Sequence, residues 1–253
     1  QENYDYPEFL TAKLVQVFSE ANDKLAPAHV RVGTARREGL AFNRRYHMKN
    51  GRVAFNPGQL NPNVVRPAGP MDPDVAILFV QPTGATKPAA GLTVFACHCD
   101  VVGGTEFSAD YPFFLQGALR REFGPNFISA FGAGTCGDLN HINTGEKWEK
   151  VKGFDRAEAI GTNLANAVLA AQNNLVAIKK PRVAVLNKTL TVPLKDVTPE
   201  QLADARAKLK LLEGDDGGFL EKVVAVRDVD LSERGKTMPM EVQAFRLDND
   251  TAI

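Results

Sequence analysis

Cysteine is scarce in this chain, with three among 253 residues, and two of them, Cys97 and Cys99, sit at i, i+2 in one apolar run. That count and spacing exclude a disulfide framework and leave the redox compartment open. No apolar run approaches the roughly 18 residues of a membrane-spanning helix, so no segment reads as one. An excess of either charge is missing too. Thirty Lys and Arg balance thirty Asp and Glu, and neither sign gathers into a long run, so a nucleic-acid partner is not expected. The lysine of a phosphate-binding P-loop and the G-x-G-x-x-G dinucleotide spacing are likewise absent, which argues against a nucleotide site. What remains is an ordinary globular composition, 44% hydrophobic and 24% charged. The length allows one large domain or two small ones.

The most informative stretch is Leu92-Thr-Val-Phe-Ala-Cys-His98-Cys-Asp100, followed by Gly103-Gly104. An apolar, β-branched run that ends in His, Cys and Asp and then breaks at glycines predicts a buried strand delivering polar side chains to a sheet edge. On a continuing strand His98 and Asp100 share one face, and Cys97 and Cys99 the other. A His-x-Asp pair on one face can ligate a metal, or the carboxylate can orient the imidazole; a hydrogen-bonded histidine at a strand end is the plainer alternative. A second polar stretch, Gly132-Ala-Gly134-Thr-Cys136-Gly137-Asp138-Leu-Asn140-His141, follows another predicted strand, Phe127–Phe131. Its glycines allow positive φ and close backbone approach, so its amides can meet a developing negative charge.

The surrounding elements are expected as follows. An amphipathic helix runs from Glu8 to Lys24 as a covering layer, and His29–Ala35 is a short strand. Phe42–Gly51 carries Arg44, Arg45 and His47 without clear periodicity, as either a solvated loop or a grip on an anionic or hydroxylated substrate. Pro57, Pro62, Pro67, Pro70 and Pro73 forbid a long element between residues 56 and 73. Strands follow at Asp74–Val80 and Leu92–His98. A helix begins at Asp110-Tyr-Pro112, with Asp110 as its cap, and stops at Gly124-Pro125. A long helix is expected over Arg156–Ile178, strands at Val183–Leu186 and Leu190–Val192, and a capping-box helix from Thr198 to Leu212. The acidic turn at Gly214–Gly218 lacks the remaining ligands of a calcium loop. Met240–Leu247 is a strand, Asp248–Asp250 a turn, and Thr251–Ile253 the start of its partner. A chain ending inside that hairpin suggests a longer polypeptide.

Leu92–Asn140, with Asn43-Arg44-Arg45 and Met71–Val75 before it, resembles the catalytic domain of the neutral/alkaline, non-lysosomal ceramidases. The likeness runs in order from the helix ending Leu25-Ala-Pro27 to the strand at Met240–Leu247, and is nearest to a divergent bacterial branch. The resemblance implies a zinc-dependent amidase that cleaves the N-acyl bond of ceramide. It implies a layered α-β-β-α type α/β domain, with mixed sheets covered by helices, over residues 1–253. It further implies a C-terminal immunoglobulin-like domain beyond that range, and a secreted, periplasmic or cell-surface location.

Residue by residue, His98 matches the second zinc-binding histidine and Arg44 an arginine that faces the active site. The nucleophilic serine of the family's Gly-Asn/Asp-Leu/Val-Ser-Pro-Asn motif is replaced by Asn140. The first histidine of the zinc site lies in the family upstream of Gln1, and its glutamate and tyrosine downstream of Ile253. A further domain or second chain is therefore expected to complete the metal site. The implied activity is hydrolysis of an amide or related ester by zinc-activated water. In it Arg44 and the backbone of Gly134, Cys136 and Gly137 stabilise the oxyanion, Asn140 orients substrate, and Asp138 or His141 moves protons. Loop capping is the alternative for Asp138 and His141, and Cys136 is either a substitute nucleophile or a small buried thiol. The substrate is a small molecule or lipid, with peripheral membrane contact. A catalytically inactive fold that binds a lipid, glycan or protein is the competing reading.

Overall fold

The computed structural model describes residues 5–148, 150–211 and 218–253. The chain gathers into two compact units, Gln1–Lys179 and Lys180–Ile253. The first contains α1 (Tyr6–Asp23), β1 (Ala28–Arg36), β2 (Phe42–Asn43), β3 (Arg45–Met48), β4 (Val53–Phe55), β5 (Val64–Pro67), β6 (Asp74–Pro82), β7 (Ala90–Phe95), α2 (Asp110–Phe123), β8 (Ile128–Ala133), β9 (Leu139–Asn140), α3 (Phe154–Ala171) and β10 (Val176–Ala177). The second contains β11 (Ala184–Pro193), α4 (Pro199–Leu211), α5 (Phe219–Arg234) and β12 (Thr237–Arg246).

Alternation along β6 builds the centre of the first unit, where Val75, Ile77 and Phe79 are buried from one face of the strand. β6 pairs antiparallel with β1 and β7, and β7 pairs parallel with β8 in a mixed five-stranded sheet ordered β10-β1-β6-β7-β8. Parallel neighbours need a crossover, and α2 supplies it between β7 and β8. Gly124 ends α2 at φ +112°, a conformation that disfavours a side chain. The α3 stripe of Ile160, Leu164 and Val168 shares one core with Leu115 and Leu119 of α2 and with Phe79 and Phe95 of the sheet. Each such side chain contributes about 1.5–3 kcal/mol by leaving water. α2 and α3 touch because position 161 is glycine, where a Cβ would lie 2.4 Å from the Tyr111 carbonyl oxygen.

The α/β expectation therefore holds, and several boundaries move. α1 forms with Asp5 capping the Glu8 amide, yet none of its residues is buried, so the expected covering role is not seen among the described residues. Phe42–Gly51 is not a loop. It supplies β2, which pairs with β9, and β3, the centre of a small β4-β3-β5 sheet. α3 stops at Ala171 rather than Ile178: asparagines follow, Leu175 packs against Gly33, and Val176 pairs with Val32 at the edge of β1. Asp110 is the first residue of α2, and its carboxylate accepts the Tyr111 and Val102 amides.

In the second unit the two strands expected near 183–192 are one, since β11 pairs without interruption from Ala184 to Pro193 with β12. The capping box at the start of α4 is formed, with Gln201 N–H donating to Thr198 Oγ1 and Thr198 N–H to Gln201 Oε1. α5 had no sequence expectation and packs on α4. The hairpin after β12 closes, bridging Arg246 to Ala252. The turn expected at 214–218 and the expected helix end at Leu212 lie outside the described residues, Gly218 apart.

Candidate functional site

β7 and β8 run parallel, so their carboxyl ends open at the same edge of the sheet, the usual place for a ligand crevice in open α/β sheets. β7 ends at Phe95, earlier than expected, and the Cys97 amide turns back to the Phe95 carbonyl at 3.1 Å. The alternation predicted for 97–100 therefore fails. Cys97 is buried and Cys99 exposed, and His98 and Asp100 take different partners.

His98 meets Arg44. Arg44 Nη2 lies 3.0 Å from His98 Nε2 and donates to the Gly137 carbonyl at 2.8 Å, while its guanidinium stacks over Phe55 at 4.4 Å. Local strand pairing fixes this convergence, because the Arg44 amide donates to Asp138 O and the His98 amide to Leu139 O. An arginine is always a donor, so Nε2 of His98 is the acceptor and its ring proton resides on Nδ1. That Nδ1 is buried without a partner among the described residues.

Asp100 meets His141 instead, with Oδ1 3.1 Å from Nδ1 of a ring that has no exposed surface. Burial works to raise the Asp100 carboxyl, but the hydrogen bond and charge of His141 outweigh it and hold the group below the usual carboxylate range. Burial pushes the Cys97 and Cys99 thiols up, so neither is an activated nucleophile. It pushes the Tyr111 phenol up as well, and that hydroxyl donates to the Cys97 carbonyl at 2.7 Å.

The glycine-rich loop is tighter than its composition suggests. Gly132, Gly134 and Gly137 all keep negative φ. The Gly134 amide is taken by the Phe95 carbonyl, so it is not free for an oxyanion, and Gly137 turns its carbonyl, not its amide, toward Arg44. Close backbone approach is correct at Gly134, where a Cβ would meet the Ala96 backbone at 3.2 Å. Cys136 is half-buried. Asp138 accepts from Asn43 Nδ2 at 2.7 Å. Asn140 is fully buried; its amide nitrogen donates to Asn56 Oδ1 at 3.3 Å and its oxygen accepts the Ile142 amide. Both ends of the side-chain amide are thus engaged within the protein.

Among the described residues no three His, Cys, Asp or Glu side chains lie together as a metal site. The Nε2 lone pair of His98 is used by Arg44, and the arginine charge opposes a dication beside it. The residues present therefore do not fit zinc as they stand.

Neither a family model nor a curated protein matches the sequence. Solved structures do match. Neutral ceramidase from Pseudomonas aeruginosa superposes with a TM-score of 0.55 at 15% identity, over 92% of this chain and 40% of that one. A ceramidase complexed with C2 gives 0.54 at 15%, over 90% and 41%. The fold is ceramidase-like. The chain spans about two fifths of the ceramidases it resembles, and at this identity the likeness concerns the fold alone.

Within the ceramidase-like fold, Arg44, His98, Gly137, Asp138 and Leu139 come together, while Asn140 and His141 are buried. Sequence reading missed the Asp100–His141 pair, Asn43 as the partner of Asp138, and Asn56, which holds Asn140 from a backbone at φ +43°. The first was findable: two polar segments after parallel neighbouring strands end at one edge. The partnership of Asn56 carried no local signal.

Proposed function

We propose that this chain is part of an amide hydrolase of the ceramidase kind, acting on the N-acyl bond of a ceramide-like lipid or a related ester. The observation that carries the reading is the convergence of Arg44 on His98 and the Gly137 carbonyl at the carboxyl edge of β7 and β8, within a ceramidase-like fold. A fixed cation at such an edge suits a carbonyl oxygen that becomes negative during acyl transfer. Asp138 is half-buried at the same edge and takes the proton-moving role, since His141 has no exposed surface and acts as a positioning residue through Asp100. The thiol of Cys136 is given no catalytic part. The residues named here serve a single ceramidase-like catalytic domain in a secreted, periplasmic or cell-surface protein that meets its lipid at the membrane surface. Zinc, which the resemblance implies, requires His98 to give up Arg44 and further ligands from outside the described residues, so no step is assigned to it.

A second reading is favoured by one specific feature. Asn140 stands where the serine nucleophile is expected and is buried with both ends of its amide bonded, which suits a fold retained for binding a lipid, glycan or protein. The deciding experiment is release of fatty acid from short and long N-acyl amides and matched esters by the natural protein, with zinc content measured in parallel. Turnover above buffer that drops at least tenfold in Asp138→Asn supports the hydrolase. No release from any substrate, with retained lipid binding, leaves the binding fold.

A further inference from the structure

Arg156, in the first turn of α3, is the most unusual charge in the first unit. Its guanidinium lies 3.8 Å from the centre of the Trp148 indole, which is itself set edge-on against Phe42 at 6.3 Å. Nε and Nη2 are both closed to solvent, and neither has an acceptor among the described residues. These two nitrogens form the side-on edge of the guanidinium, whose parallel N–H groups match the two oxygens of a carboxylate. Other arginines with an unpartnered Nε differ: Arg31 donates to the Gln172 carbonyl, and Arg44 to His98 and Gly137. Among the described carboxylates, Glu146 accepts the Trp148 indole N–H at 3.0 Å, Asp155 pairs with Lys150 at 3.4 Å and Asp100 pairs with His141, so none of the three is bonded to Arg156. Cys97, close enough to influence it, is a neutral thiol because burial raises it.

A stacked, partly desolvated arginine whose fork has no acceptor among the described residues is costly unless an anion occupies that fork. We infer that Arg156 and Trp148 form an oxyanion subsite that receives a carboxylate group, with the indole as one wall. The inference stands on these contacts and not on the catalytic reading above. Because both nitrogens are shielded, the anion enters only as the indole shifts, and Trp148 is the sole tryptophan of the chain. Its emission therefore reports occupancy directly.

The test titrates the protein with acetate and, separately, with inorganic phosphate, at constant ionic strength held with sodium chloride. A saturable change in Trp148 emission with acetate is expected, lost in Arg156→Met and kept in Arg121→Met, which removes an exposed arginine. Arg156→Lys keeps the charge but not the fork, and should weaken acetate at least tenfold, which keeps the test open if Arg156→Met fails to fold. Absence of a saturable change beyond chloride, or its persistence in Arg156→Met or at full strength in Arg156→Lys, overturns the subsite. Saturation by phosphate but not by acetate overturns the carboxylate assignment.

Discussion

β7 and β11 are both rich in β-branched residues, and they bury them very differently. Along β7 every second residue is buried, whereas nine of the ten positions of β11 are exposed. The difference lies in what covers the strand. β7 belongs to a sheet that shares a core with α2 and α3. In the second unit, α4 and α5 bury little beyond Ala205, Ala225 and Asp228 among the described residues. Alternation specifies a face, and only packing decides whether that face leaves water.

The comparison is broken most sharply at the helix crossing. Gly161→Val places branched carbons where a single Cβ already meets the Tyr111 carbonyl at 2.4 Å. A loss of about 3 kcal/mol or more in urea unfolding is expected, since the close atoms are backbone and cannot move aside. Leu164→Ala, which opens a cavity in the same core, should cost about 2–5 kcal/mol. A smaller effect belongs to the sheet edge. The Asp100 carboxyl is held low by His141, so its contribution is present above the ordinary carboxylate pKa and lost as pH falls through the lower folded value. The side chain is 38% exposed, which limits the contribution to about 0.5–1 kcal/mol. Wild type should therefore exceed Asp100→Asn in melting temperature at pH 7, with the gap closing below about pH 4; a gap independent of pH contradicts the assignment. Smallest is the hairpin. Val242→Thr on exposed β12 should change stability by less than about 0.5 kcal/mol, and a loss like that of Leu164→Ala would show that this face is covered.

Much of the fold was legible because its signals are local. The β6 alternation, the Thr198 capping box, the Gly124 stop and the turn at Asp248 each reside in a few adjacent residues. Features decided by distant partners were not legible. The end of α3 depends on Gly33 and the open edge of β1, and Phe42–Gly51 becomes strand only because Leu139–Asn140 and Val64–Pro67 pair with it. The site shows the same division. Its place at the ends of β7 and β8 follows from apolar runs that stop at polar residues. The exchange of partners, His98 with Arg44 and Asp100 with His141, depends on a strand that stops at Phe95, before it can set both side chains on one face.

The most direct test of the functional account is kcat/KM for release of fatty acid from an N-acyl amide by wild type and Arg44→Met, with Arg121→Met as a surface control. The account predicts measurable turnover that falls roughly 100-fold or more without the Arg44 cation, by analogy with removal of an oxyanion-stabilising donor, and is unchanged in the control. Turnover that survives Arg44→Met intact would contradict it.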